Sequence, residues 1–104
     1  MTSYLQNKQL TVALSGELDH HHAKQIMQAL REKIDEFLPR SCILDFRDVT
    51  FMDSSGIAVV ICGHRQMRTI GGKLVLANVP PQPAKVFRAA GIERVAEITG
   101  GVTV

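Results

Sequence analysis

Apolar and polar residues alternate along the chain with two different periods, and the changes between them predict the order of strands and helices. Between residues 9 and 15 every second residue is apolar, the pattern of a strand with one buried face. A shorter strand at residues 4–6 is predicted to pair with it as an antiparallel hairpin. The tetrapeptide GELD, residues 16–19, is then predicted to be a loop.

A helical period follows this loop. From about residue 21 to residue 37 apolar side chains recur every three or four positions, so one face of the helix is apolar and the other polar. Asp19 is placed to cap the first turn, and Pro39 marks the end. The predicted apolar stripe consists of Ala23, Ile26, Met27, Leu30, Ile34, Phe37 and Leu38.

Short apolar runs in the remainder of the chain predict three more strands. Residues 41–46 (SCILDF) and 73–78 (KLVLAN) have the length and composition of buried strands. The charged pair at residues 47–48 is expected to break the first of these before residues 49–52 continue the chain. A last short strand is expected at residues 95–98.

Two further helices are predicted between these strands. One spans about residues 55–70 and is ended by the glycine pair at residues 71–72. The other has Pro83 in its first turn, where the fixed backbone angle of proline is favourable, and ends at Gly91. One face of the helix at about residues 55–70 is expected to contact the sheet. This face carries Gly56, Val59, Val60, Gly63, Met67 and Ile70.

This order of elements predicts an α/β fold. It contains a mixed, mostly parallel sheet of four or five strands, which starts with an antiparallel hairpin and is connected by about three helices. With 104 residues the chain is expected to form a single domain, residues 1–104.

Composition and charge argue against nucleic-acid binding. The chain is 45% hydrophobic and 21% charged, as is usual for a soluble globular protein. Its formal net charge of +2 is small, and the basic pair Arg65 and Arg68 has no aromatic side chain beside it on which a base could stack. We therefore expect no direct contact with nucleic acid.

The amino terminus and the cysteines predict a cytoplasmic protein that does not contact a membrane. The first ten residues lack the basic and apolar segments of a signal peptide. The longest apolar run, residues 57–62, is too short to span a bilayer. Cys42 and Cys62 lack CxxC spacing and lie in apolar runs, so both are expected to be buried, reduced thiols.

Two polar loops follow the carboxyl ends of predicted strands. GELDHHH (residues 16–22) comes after the second strand and FMDSSG (residues 51–56) comes after the third. Ligands of open α/β sheets usually bind at this edge, where such loops meet. We therefore predict that Asp19, His20 and Ser54 belong to a single site.

Ser54 falls at the cap or first position of the second helix. Backbone N–H groups lack partners there and the helix dipole is positive, so a phosphate on Ser54 would be tolerated. Such a phosphate would place about two negative charges beside Asp53, and Gly56 would allow a close approach. However, Asp and Ser are also the commonest helix caps. The residues alone are therefore equally compatible with DSSG having no role other than to start a helix.

An apolar surface next to Ser54 is a candidate for binding a partner. Ile57 and Ile61 fall on the side of the second helix that is opposite the sheet, within two turns of Ser54. Exposed apolar patches of this kind often mark protein interfaces. The alternative, equally compatible with the sequence, is that a neighbouring loop covers them.

Enzymatic interpretations of these motifs fit poorly. The nucleophile elbow of a serine hydrolase requires glycine two residues before the serine, where Ser54 has Met52 and Ser55 has Asp53. Gly72 and Lys73 lead into a strand, whereas a Walker A loop leads into a helix. We therefore expect no catalytic residue.

The three histidines at residues 20–22 point in different directions at a helix start. No cysteine or glutamate lies at ligand spacing, so capping and solvation are favoured over a metal site. No metal and no cofactor are expected.

GELDHH, followed some thirty residues later by FMDSSG, resembles the STAS family of anti-anti-sigma factors, and in particular the sporulation-type antagonists of a bacterial anti-sigma factor. The similarity extends over about residues 10–95. The resemblance implies a STAS fold, with helices packed mainly on one face of the sheet. It also implies that the serine directly after the motif aspartate, here Ser54, accepts a phosphate.

The resemblance also implies the partners. The unphosphorylated form would bind an anti-sigma factor that is also a serine kinase, and so release the sigma factor. Phosphorylation of Ser54 would end this binding, and a serine phosphatase would remove the phosphate. A STAS domain in a stress complex or associated with a transporter is the alternative. The residues expected to contact the partner are Asp19, His20, Asp53, Ser55, Gly56, Ile57 and Ile61.

Two features depart from the family pattern. His22 replaces a smaller residue, and the carboxyl-terminal GGVTV, residues 100–104, is poor helix material. We therefore expect the final helix of longer relatives to be missing.

Overall fold

A computed structural model describes the backbone of residues 1–99 and the side chains of residues 1–98. Five strands and three α-helices alternate much as the sequence predicts, and a single 3₁₀ turn, Ile92–Arg94, precedes the last strand within this part of the chain. The elements are β1 (Thr2–Gln6), β2 (Gln9–Leu18), α1 (His20–Phe37), β3 (Ser41–Met52), α2 (Ser55–Thr69), β4 (Lys73–Ala77), α3 (Pro81–Ala90) and β5 (Glu97–Thr99).

The five strands form one sheet in the order β1-β2-β3-β4-β5. Strands β1 and β2 are antiparallel, and the other neighbouring pairs are parallel. Alternate residues of β2, β3 and β4 form one core cluster with residues of α1, α2 and α3, so the helices cover one face of the sheet. The predicted α/β fold, with its mixed and mostly parallel sheet, is confirmed.

The amino-terminal hairpin has a two-residue turn. Asn7 and Lys8 both have positive φ angles, 52° and 63°, which is the geometry of the type I′ turns that suit the twist of paired strands. Strand β1 begins at Thr2, two residues earlier than predicted, because its pairing with β2 continues to Ala13.

The predicted loop at GELD and the predicted break at Arg47-Asp48 are both wrong. Strand β2 continues to Leu18, and β3 runs from Ser41 to Met52 without interruption. The pairing passes from Ala13–Asp45 to Ser15–Asp48, so β3 has one residue more than β2 in this interval. The sheet accommodates the extra residue as a β-bulge, where the N–H of Arg47 donates to Asp45 Oδ1 at 3.0 Å.

Several predicted apolar contacts are also wrong. Leu38 caps α1 in the left-handed conformation (φ 44°), and the chain turns so that Phe37 and Leu38 are exposed. Ile70, the residue that caps α2, is exposed too. Cys62 is only half-buried, whereas Cys42 is buried and its burial raises the pKa of the thiol to about 12. The expectation about GGVTV concerns residues 100–104, which lie outside the described part.

Candidate functional site

The carboxyl ends of β2 and β3 lie side by side at one edge of the sheet. Leu18 pairs with Met52 at the ends of β2 and β3, and the N–H of Asp53 donates to the Leu18 carbonyl at 3.4 Å. Neighbouring strands lie about 4.8 Å apart. Asp19, which joins β2 directly to α1, and Asp53, which follows β3, are therefore adjacent at this edge of the sheet.

The first turn of α2 is capped by Asp53 and not by Ser54. The carboxylate oxygen Oδ1 of Asp53 accepts from the N–H of Ser55 at 2.7 Å, and its carbonyl accepts from the N–H of Gly56 at 3.1 Å. The carbonyl of Ser54 accepts from the N–H of Ile57 at 3.1 Å. The N–H groups of residues 55–57 therefore have partners, contrary to our expectation, and the positive end of the helix dipole remains there.

Ser54 is exposed at this helix start, and its hydroxyl makes no capping hydrogen bond. The backbone adopts ordinary helical angles (φ −63°, ψ −14°), so the residue is not strained. The interpretation of DSSG as a simple helix start therefore accounts for Asp53 but not for Ser54. A hydroxyl that is exposed and free of capping contacts is accessible to a modifying enzyme.

Gly56 is buried under the start of α2 and offers no surface to a partner. A Cβ atom at this position would lie 2.5 Å from Met52 Cγ and 3.2 Å from Leu18 Cδ2. Because Gly56 is buried, a partner docked at this position would contact the residues around it. The absence of a side chain instead allows α2 to pack closely on the ends of β2 and β3, which fixes the position of Ser54 above them.

Gln82 holds the end of β3, a role that the sequence analysis missed. Its amide nitrogen donates to the Met52 carbonyl at 2.8 Å, and its Oε1 accepts from the Met52 N–H at 2.9 Å. Strand β4 pairs with β3 only as far as Asp45. The side chain therefore replaces the missing strand neighbour, two residues before Ser54.

Asp19 caps α1 as predicted, and His22 is its partner. Oδ1 of Asp19 accepts from the N–H of His22 at 3.0 Å and lies 2.9 Å from His22 Nδ1. The hydrogen bond from the backbone N–H of His22 is the main cause that holds the pKa of the Asp19 carboxyl below its usual value. Asp19 thus adds negative charge at this edge, and His20 is exposed beside it.

The predicted apolar patch differs from what the structure shows. Ile57 and Ile61 are half-buried and pack against the core cluster, so they do not form a fully exposed surface. Phe51, which the sequence analysis did not single out, is 46% exposed three residues before Ser54. The sequence did not indicate this exposure, because the strand alternation is lost after the bulge and both Thr50 and Phe51 are exposed between the buried Val49 and Met52.

Neither a metal centre nor a membrane span is found within residues 1–99. No three His, Cys, Asp or Glu side chains in this part of the chain come together as ligands, despite the three consecutive histidines. None of its helices is long and apolar enough to cross a bilayer.

The STAS domain family profile matches residues 3–102. The chain belongs to the STAS domain family. An anti-sigma F factor antagonist of Lysinibacillus sphaericus is 32% identical over 83 residues, which are 80% of this chain and 71% of that protein.

Solved structures of STAS proteins agree with this assignment. The anti-sigma factor antagonist SpoIIAA in its unphosphorylated form has a TM-score of 0.84 and 27% identity, over 97% of this chain and 87% of the other. SpoIIAA from Bacillus in its phosphorylated form has a TM-score of 0.72 and 28% identity, over 97% of this chain and 92% of the other. The STAS fold of this chain is therefore that of a protein solved in two phosphorylation states.

Proposed function

We propose that this STAS domain is an anti-sigma factor antagonist whose binding is switched off by phosphorylation of Ser54. The exposed Ser54 hydroxyl, which does not cap the helix that it starts, is the observation that carries the proposal. The relatives named anti-sigma factor antagonists support the kind of partner. In its unphosphorylated form the domain binds an anti-sigma factor and so releases a sigma factor.

The phosphate comes from ATP bound to the partner, which acts as a serine kinase. The Ser54 oxygen attacks the γ-phosphorus, ADP leaves, and the hydroxyl proton passes to a base of the kinase. A serine phosphatase hydrolyses the ester and restores the hydroxyl. This domain supplies the acceptor and the docking surface, and it needs no cofactor of its own.

The effect of the phosphate is electrostatic. It adds a charge of about −1.5 to −2 at an edge where Asp19 and Asp53 already lie at the ends of neighbouring strands. The positive end of the α2 dipole stabilises the phosphate, so the domain stays folded. A partner surface that fits the neutral hydroxyl must now desolvate or face this charge, and binding is lost.

The experiment that tests the proposal maps the phosphate. Incubation of the domain with its anti-sigma factor and ATP, followed by mass spectrometry, is expected to find one phosphate on Ser54. Ser54→Ala should accept none yet still bind, whereas the matched variant Ser55→Ala should still be phosphorylated. Modification of Ser54→Ala at another residue would contradict the assignment, and failure to bind any anti-sigma factor would favour another regulatory role for this STAS domain.

Phe51 gives a second expected result. We expect Phe51→Ala to weaken binding of the anti-sigma factor about tenfold or more, because an exposed aromatic side chain beside the docking surface is a typical hot spot. Phe37→Ala is the matched control. Phe37 is similarly exposed, at 39%, but it lies at the end of α1. This 18-residue helix is about 27 Å long and starts beside the site, so Phe37 is at its far end.

Isothermal titration calorimetry would measure both affinities, and urea denaturation would show that neither variant unfolds. Equal affinities of the two variants would show that Phe51 lies outside the interface.

A further inference from the structure

Strand β1 forms an open edge of the sheet. Its pairing partner is β2, and four of its five side chains are exposed. Tyr4 is 61% and Leu5 43% exposed, which is unusual for apolar residues on a strand. Among residues 1–99, no strand pairs with the opposite edge of β1, which therefore presents unpaired backbone groups beside exposed apolar side chains.

The hairpin turn determines which backbone groups point outwards. In a two-residue hairpin the residues flanking the turn, Gln6 and Gln9, form a hydrogen-bonded pair, and such pairs then alternate along the strands. Tyr4 is therefore bonded to β2 through its backbone. The N–H and C=O groups of Ser3 and Leu5 point away from β2.

The strand also lacks the features that natural edge strands use against pairing. Proteins protect such edges with charged residues, proline or a bulge. The sequence of β1, TSYLQ, contains no charge and no proline, and its register with β2 is continuous. Nothing in β1 itself opposes the addition of another strand.

We propose that two copies of this chain associate through antiparallel pairing of β1 with β1 of the second copy. The two-fold axis passes beside Tyr4, so Ser3 faces Leu5 of the other copy and each such pair exchanges two hydrogen bonds. This register uses all the outward N–H and C=O groups of residues 3 and 5 in both copies. An isologous contact of this kind closes on itself as a dimer.

The side chains fit this register. Tyr4 lies in the row of Thr11 and Ile43, on the face of the sheet without helices. The two Tyr4 residues form a non-hydrogen-bonded pair about 4.5 Å apart at Cα, and each ring buries apolar area against the other. The two Lys8 residues, which carry the first charged side chains along the chain, lie roughly 27 Å apart at about 3.4 Å per residue.

The helices leave room for this dimer. Helix α1 packs on β2, and the two β2 strands are three strand spacings apart, about 14 Å. A helix with its side chains is about 10 Å wide, so the two α1 helices pass each other on the same face of a ten-stranded sheet. The contact is limited to one five-residue strand of each copy, so we expect the dimer to exchange with monomer.

Sedimentation velocity of the full chain tests this inference. Over about a hundredfold range of protein concentration, the weight-average sedimentation coefficient is expected to rise from the monomer value toward the dimer value. Tyr4→Lys places like charges opposite each other at the two-fold axis and should abolish the rise. Ser3→Pro removes an outward N–H without affecting the bonds to β2 and should do the same.

Gln6→Lys is the matched control, since it adds the same charge to the same face. In the proposed register Gln6 faces Thr2 of the other copy, so this variant should still dimerise. A wild-type chain that remains monomeric at every concentration, or that pairs only with a different protein, would overturn the inference. So would a dimer that Tyr4→Lys leaves unaffected, or one that Gln6→Lys weakens as much as Tyr4→Lys does. Ser54→Ala should dimerise like wild type, which separates this result from the proposed switch.

Discussion

Ser54→Asp is expected to weaken binding of the anti-sigma factor by about 100-fold. The substitution places a permanent negative charge at an exposed position where the partner meets a neutral hydroxyl, and like-charge or unpaired-charge contacts across an interface cost several kcal/mol. Asp53 lies in the adjacent position and Asp19 lies at the end of the neighbouring strand β2, so the new charge is added beside two carboxylates. Isothermal titration calorimetry would measure the loss.

Ser54→Asn is the control that isolates charge from size. Asn has nearly the shape of Asp but is neutral, so we expect it to bind within about tenfold of wild type. Added salt should reduce the difference between the Asp and Asn variants, because the charge is exposed to solvent and is screened. If both variants lose binding equally at every salt concentration, the switch depends on shape and the electrostatic mechanism is wrong.

The fold could be predicted largely from local patterns, because each element carries its own period. The alternation at residues 9–15 and the stripe of residues 23–34 each define a buried face without knowledge of the rest of the chain. The continuation of β2 to Leu18 could not be predicted in this way. It depends on pairing with β3 through a bulge at Arg47, and this pairing joins residues more than thirty positions apart.

The site shows the same division between local and distant causes. The position of Ser54 follows from the motif and the sheet topology, and both are visible in the sequence. The support from Gln82 could not be predicted from the sequence. It depends on β4 ending before β3 does, and on α3 passing over the edge of β3 that is then free. Likewise, Ile57 and Ile61 could be placed on the outer side of α2, but their half-burial depends on what packs beside them.

Gly56→Ala is expected to destabilise the domain by about 2 kcal/mol, since overpacking a filled core costs about 1–3 kcal/mol. The new Cβ would lie 2.5 Å from Met52 Cγ and 3.2 Å from Leu18 Cδ2, and both side chains are fully buried. Either Met52 changes its conformation within the core or the first turn of α2 moves away from the sheet. Urea denaturation followed by circular dichroism would measure the change.

Gly63→Ala provides the comparison within the same helix. Gly63 is also buried, but its Cβ would meet the end of a flexible side chain, Leu30 Cδ2 at 3.2 Å, and the Leu74 methyl groups at 3.5 Å. A shift of a few tenths of an ångström relieves this contact, and alanine in a helix interior gains up to about 1 kcal/mol over glycine. We therefore expect Gly63→Ala to retain at least about 1 kcal/mol more stability than Gly56→Ala. Equal stability of the two variants would show that the close packing at Gly56 does not hold the start of α2, and with it Ser54, against the strand ends.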